Sequence, residues 1–86
     1  MSECILVVDD DREIVRAIAI LLEKEGYQVL KAYDGMQALE LIAEQKVHLV
    51  IMDVMMPKLD GIRATLKIRE NSSIPIIILS AKTEDS

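Results

Sequence analysis

The sequence predicts an α/β fold, a parallel sheet of four strands with three helices wound on both of its faces. Four short aliphatic runs, rich in β-branched residues, recur along the 86 residues. Runs of that kind read as strands buried in a parallel sheet. Between consecutive runs lies a stretch with helical spacing of apolar residues, and parallel strands need crossovers of this kind. A third observation concerns chemistry. Ile5-Leu6-Val7-Val8 ends in Asp9-Asp10-Asp11, and Leu49-Val50-Ile51-Met52 ends in Asp53. Ligands of open α/β sheets collect at the carboxyl ends of the strands.

Cys4 heads the first strand. After the acidic run, Ile14, Ala17, Ile18, Leu21 and Leu22 recur at helical spacing, with Arg12, Glu13, Arg16, Glu23 and Lys24 off that stripe. Asp10 or Asp11 supplies the N-cap and Gly26 the left-handed stop. Gln28–Ala32 reads as a short second strand. Asp34-Gly35 then turns into a helix carrying Met36, Ala38, Leu39, Ile42 and Ala43. Residues 47–52 form the third and most hydrophobic strand. Met55-Met56-Pro57 forces a loop, because proline has no amide to donate to a ladder. Asp60-Gly61 turns the chain into a third helix carrying Ile62, Leu66, Ile68 and Arg69, which frays at Asn71-Ser72-Ser73. Pro75 opens the fourth strand, Ile76–Leu79, which ends at Ser80. The crossovers are expected to be right-handed.

Residues 1–86 are at most one domain, and burying roughly 64% of the chain's surface supports only a marginal core. Hydrophobic residues make up 51%, without Trp or Phe, so the core is aliphatic and disorder is excluded. A net charge of −5 argues against direct nucleic-acid binding by this segment and suits a positively charged partner or a metal ion. Cys4 is the only cysteine, which rules out an internal disulfide and fits a reducing compartment. It reads as a small buried hydrophobe. No run approaches the roughly 18 apolar residues of a membrane span, and Met1-Ser2-Glu3 lacks the basic flank of a signal peptide. A cytoplasmic protein with no membrane partner is the expectation.

Parallel connectivity brings Asp9, Asp10, Asp53 and Ser80 to one rim. Carboxylates about 4 Å apart repel by roughly 4 kcal/mol at an effective dielectric of 20. Folding alone gives no reason to carry that cost. Three carboxylates and a hydroxyl are hard oxygen donors, a set suited to Mg²⁺ with several waters retained. The backbone carbonyl of Met55, two residues beyond Asp53, could face the same ion. A carboxylate is also a competent nucleophile toward phosphorus. Plainer readings exist for each residue taken singly. Residues 9–11 could simply cap the first helix, Asp11 above all, and Asp53 could be a turn residue. Asp60-Gly61 and the lone His48 read as structural, and the five methionines as core filler. The convergence of the acids is what points to a cation.

Three motifs, Ile5-Leu6-Val7-Val8-Asp9-Asp10-Asp11, Asp53-Val54-Met55-Met56-Pro57-Lys58-Leu59-Asp60-Gly61 and Pro75-Ile76-Ile77-Ile78-Leu79-Ser80-Ala81, stand in this order. Together they resemble the receiver domain of bacterial response regulators. The resemblance implies a flavodoxin-like sheet with strand order 2-1-3-4 and Asp53 as phosphoacceptor. It also implies Mg²⁺ bound by Asp10, Asp53 and the Met55 carbonyl, with Asp9 acting on the ion through water. Ser80 would be the switch hydroxyl, and the phosphodonor a phosphohistidine on a sensor kinase. A receiver catalyses only its own phosphotransfer and dephosphorylation, so it is not an enzyme in the usual sense. Met-Met-Pro and Ser-Ala-Lys are similar to receivers that carry a winged-helix DNA-binding domain.

Receivers continue through a fourth helix, a fifth strand bearing a lysine and an aromatic switch residue, and a fifth helix. Lys82 does not occupy that lysine's place. Residues 1–86 are therefore expected to be an N-terminal receiver fragment, impaired in its switch. Its first helix would lack a packing partner, and its Ile76–Leu79 edge would be free to form a homo-oligomer or exchanged dimer. The alternative from the enzyme class is a small aspartyl-nucleophile phosphatase. Those enzymes need a second acid two residues after the nucleophile, where this chain has Met55. The three glycines form no phosphate-cradling loop.

Overall fold

A computed structural model describes residues 3–53 and 61–79. The chain runs β1 (Cys4–Val8), α1 (Arg12–Lys24), β2 (Gln28–Ala32), α2 (Gly35–Glu44), β3 (Leu49–Asp53), α3 (Gly61–Asn71) and β4 (Ile76–Leu79). All four strands are parallel and join in the order β2-β1-β3-β4. This is the flavodoxin-like α/β sheet that the sequence predicts, with β1 and β3 central. Every residue of β1 is buried, as an aliphatic strand covered on both faces should be.

Alternation along β1 divides the core. Leu6 and Val8 join Ala38 of α2, Ala64 and Ile68 of α3, and Val50 and Met52 on one face. Ile5 and Val7 meet Val15 of α1 on the other. Helices therefore cover both faces, α2 and α3 on one and α1 on the other.

The helical stripes differ from the predicted ones. In α1, Val15 and Ala19 are buried and Ile18 and Leu22 half-buried, whereas Ile14, Ala17 and Leu21 are exposed. Eight residues between positions 14 and 22 are apolar, so two stripes satisfy helical spacing equally well, and the sheet selects one. In α3 the buried pair is Ala64 and Ile68; Ile62 and Leu66, also four residues apart, are exposed. Two positions along a helix is about 200° of rotation, which turns the Ile62–Leu66 stripe to the opposite side. Met36 and Ala43 of α2 are likewise exposed, while Ala38 faces the core.

The third strand begins at Leu49, two residues later than the 47–52 expected, because His48 is engaged differently. Its amide donates to the Cys4 carbonyl (2.8 Å), and its Nδ1 accepts from the Cys4 amide (2.9 Å). The side chain thus completes the start of the β1–β3 ladder, a structural role as expected. Cys4 is buried, and burial pushes its thiol above the ordinary range, which leaves little thiolate.

Gly26 ends α1 with φ +95°. Its amide donates to the Glu23 carbonyl (3.0 Å) and the Tyr27 amide to the Leu22 carbonyl (3.2 Å), the paired bonds of a Schellman cap. Among the described residues, no helix is long and apolar enough to cross a membrane.

Candidate functional site

The register of the central strands builds the site. Val8 of β1 pairs with Met52 of β3, so the next residues, Asp9 and Asp53, emerge side by side at the carboxyl end of the sheet. Asp10 follows on the loop into α1. One carboxylate oxygen from each of Asp9, Asp10 and Asp53 lies within 4.8 Å of the others. Asp9 and Asp53 are 6% and 7% exposed, while Asp10 is open to solvent.

Local hydrogen bonds hold the acidic loop. The Asp9 amide donates to the Ala32 carbonyl (3.2 Å), which ties the end of β1 to the end of β2. The Asp11 amide donates to Asp9 Oδ1 (2.9 Å). Asp11 itself caps α1, its Oδ1 accepting from the amides of Glu13 (3.0 Å) and Ile14 (3.3 Å). Of the two residues offered as caps, Asp11 is the one used, which leaves Asp9 and Asp10 to face Asp53.

Electrostatics make this a demanding place for anions. Burial raises the pKa of the Asp9 carboxyl above the ordinary aspartate value; the Asp11 amide pulls it down, and the charges of Asp53 and Asp10 push it up again. Two nearly buried carboxylates beside a third form a set that a hard divalent cation would neutralise. At Mg²⁺–oxygen distances of about 2.1 Å, opposite ligands lie about 4.2 Å apart. The 4.8 Å spread of the three carboxylates is close to that separation. The donor set fits Mg²⁺.

Ser80 and the Met55 carbonyl, named from the sequence as switch hydroxyl and metal ligand, lie outside the described residues, as do Asp60 and Lys82. Sequence reasoning also passed over a contact at the rim. The Arg12 guanidinium stacks on the Tyr33 ring, 3.9 Å from its centroid. The two residues lie 21 positions apart, and only the β1–β2 register, Val8 opposite Ala32, brings them together.

Comparison with known proteins agrees with this geometry. The family model of the response regulator receiver domain matches residues 5–86. The chain is 44% identical over 86 residues to the response regulator GtcR of Aneurinibacillus migulanus, covering all of this chain and 36% of that protein. It is 40% identical over 85 residues to the regulatory protein VanRc of Enterococcus gallinarum, covering 99% of this chain and 37% of that protein. The transcriptional regulatory protein SrrA of Staphylococcus aureus is 40% identical over 86 residues, all of this chain and 36% of that protein. The chain thus spans just over a third of the length of these relatives. Among solved structures, a Francisella response regulator receiver domain superposes with a TM-score of 0.90 at 38% identity, covering 96% of this chain and 69% of that one. The response regulator TrrA of Thermotoga maritima, in complex with Mg²⁺ and BeF, gives 0.88 at 34% identity, covering 94% and 71%.

Proposed function

The chain belongs to the response regulator receiver domain family, and from that premise we propose that it takes a phosphoryl group onto Asp53. The donor is a phosphohistidine on a sensor histidine kinase. A carboxylate oxygen of Asp53 attacks phosphorus as the P–N bond of the phosphohistidine breaks. The departing imidazole takes up a proton, and an acyl phosphate remains on Asp53. Hydrolysis of that acyl phosphate returns the carboxylate and releases inorganic phosphate. Apart from this self-directed chemistry the domain is not an enzyme.

The observation that carries the reading is the convergence of Asp9, Asp10 and Asp53 within 4.8 Å. Asp10, Asp53 and the Met55 carbonyl would hold Mg²⁺ directly, with Asp9 acting through water. When bound, the ion supplies positive charge that offsets the negative charge gathered at the acyl phosphate. Asp53 sits at a strand end and is nearly buried, so its position is set by the sheet. Ser80 would turn its hydroxyl toward the phosphoryl group. The TrrA structure with Mg²⁺ and BeF supports the site on a relative. An aspartyl phosphatase is not favoured, because the residue two past Asp53 is methionine.

For the whole protein we propose output through a DNA-binding domain of winged-helix type, supported by relatives named as transcriptional regulators. The acidic receiver itself would not touch DNA. The lone cysteine supports a cytoplasmic setting.

Incubation with acetyl phosphate and Mg²⁺ tests the assignment. Mass spectrometry is expected to find one base- and hydroxylamine-labile phosphoryl adduct on Asp53. Asp53→Asn should abolish it, and labelling that survives this substitution would sink the proposal.

A further inference from the structure

A groove of about 380 Å³ runs between α2 and α3. α2 lines it with Leu39 and Ile42, α3 with Lys67 and Ile68, and the loop that follows with Ser72 and Ile74. That loop leads into the amino end of β4, so the groove lies at the opposite end of the sheet from Asp9, Asp10 and Asp53. It shares no residue with the acidic rim. Its apolar surface is continuous with the core. Ile68 is buried in the cluster beneath α2 and α3, and Leu39, Ile42 and Ile74 pack half-buried against that cluster. Hydrogen bonds hold the loop in shape. The Arg69 guanidinium donates to the Ile74 carbonyl, and the Ile74 amide donates to Ser72 Oγ (3.1 Å). Because that oxygen accepts, the Ser72 hydroxyl keeps its proton to donate elsewhere. Lys67 brings an ammonium, with three donors and no acceptor. Among the described residues, no carboxylate lines the groove.

We propose that this groove binds a small amphipathic monocarboxylate, a medium-chain aliphatic acid, with its carboxylate on Lys67 and Ser72 and its tail on Leu39, Ile42, Ile68 and Ile74. Charge complementarity selects the head. An ammonium and a hydroxyl proton satisfy the acceptor-only oxygens of a carboxylate, whereas a cationic head would face donors alone. The half-buried aliphatic side chains select the tail, since covering them removes apolar surface from water. An apolar lining with a few polar groups is the usual character of a small-ligand site, and the volume is near the lower end of the roughly 300–1,000 Å³ such sites span.

Titration of the isotope-labelled protein with sodium octanoate, followed through amide chemical shifts, tests the assignment. Saturable shifts are expected at residues 39–43 and 67–74, with a Kd on the order of a few millimolar for a ligand of this size. Butyrate carries the same head on a shorter tail and should bind more than about tenfold more weakly. Octanamide, a neutral isostere, should bind about two- to fivefold more weakly than octanoate, the range an exposed ion pair supports. Lys67→Gln should weaken octanoate by a similar factor, and Lys67→Arg, which keeps the charge, should restore it. Lys67 is exposed, so neither change disturbs the core. Lys24→Gln, at the end of α1 on the other face of the sheet, should bind octanoate as wild type does. Absence of saturable shifts in the groove would overturn the proposal. So would equal affinities for octanoate and octanamide, or a Lys67→Gln Kd equal to wild type. A Lys24→Gln loss as large as that of Lys67→Gln would do the same, as would shifts confined to Ile76–Leu79, which would put the tail on the exposed edge of β4.

Discussion

Asp9 is nearly buried, close to two other carboxylates, and its pKa is raised above the ordinary value of 3.8, first by burial. In the metal-free protein the folded state therefore binds a proton that the unfolded state has already released. Stability contributed by this group is highest below the ordinary value and falls as pH rises through the raised one. Asp9→Asn removes that dependence while keeping an oxygen to accept from the Asp11 amide (2.9 Å). At neutral pH without metal, the variant is expected to be more stable than wild type, by on the order of 1 kcal/mol. The gap should narrow as pH falls toward the ordinary aspartate range. Denaturant titrations of both proteins across pH 4 to 8 check this; a gap that widens toward acid would contradict it. Mg²⁺ at a concentration that saturates wild type but not Asp9→Asn should reverse the order, since a ligand at 100 times its Kd adds about 2.7 kcal/mol to the protein that binds it. At this scale much of the site was legible, because a carboxylate following an aliphatic run is visible in one dimension. The Arg12–Tyr33 stack was not, because it exists only through the β1–β2 register. His48 was read as structural, but its exchange of hydrogen bonds with Cys4 depends on a ring orientation that no spacing encodes.

At the scale of elements, the four strands and three helices follow from run length and turn chemistry, while the face each helix presents does not. α1 shows why. Its residues 14–22 are so uniformly apolar that helical spacing fits two stripes, and only packing on Ile5 and Val7 singles out Val15. The cost of truncation should separate them. Val15 is 0% exposed and Leu21 64%. Val15→Ala deletes two buried methyl groups and should cost about 2 kcal/mol. Leu21→Ala should change stability by no more than about 0.5 kcal/mol, as exposed positions do. Equal effects in urea denaturation would mean that α1 sits on the sheet by its other face. The end of the same helix offers a second test. A Cβ at Gly26 would meet nothing within 4 Å, so the whole penalty of Gly26→Ala comes from holding φ at +95°. That penalty is about 1 kcal/mol. For a chain of this size it lowers Tm by about 4–8 °C. An unchanged Tm would show that the cap relaxes at no cost.

At the scale of the molecule, the sheet is unevenly protected. β1 and β3 lie inside, and β2 lies on an edge with a polar, part-exposed pattern. β4 is the other edge, and there Ile77, Ile78 and Leu79 are 49%, 41% and 38% exposed. Apolar side chains on both faces of an edge strand, with backbone groups free along one side, form a template for pairing with another strand. Natural edges of this kind are blunted by charge, proline or a covering element. Among the described residues the nearest such device is Pro75, one residue before the strand begins. The 86-residue chain is therefore expected to associate through β4, either edge to edge or by exchange of an element between two copies. Sedimentation velocity over a concentration series should show mass increasing with concentration. Ile77→Lys places a charge at the most exposed position of the edge, and should shift the population toward monomer with β1 and β3 untouched. The acidic site stands at the ends of those central strands, so the monomeric variant should bind Mg²⁺ with wild-type affinity. A wild-type chain that stays monomeric at every concentration, with a single cooperative thermal transition, would contradict association through β4.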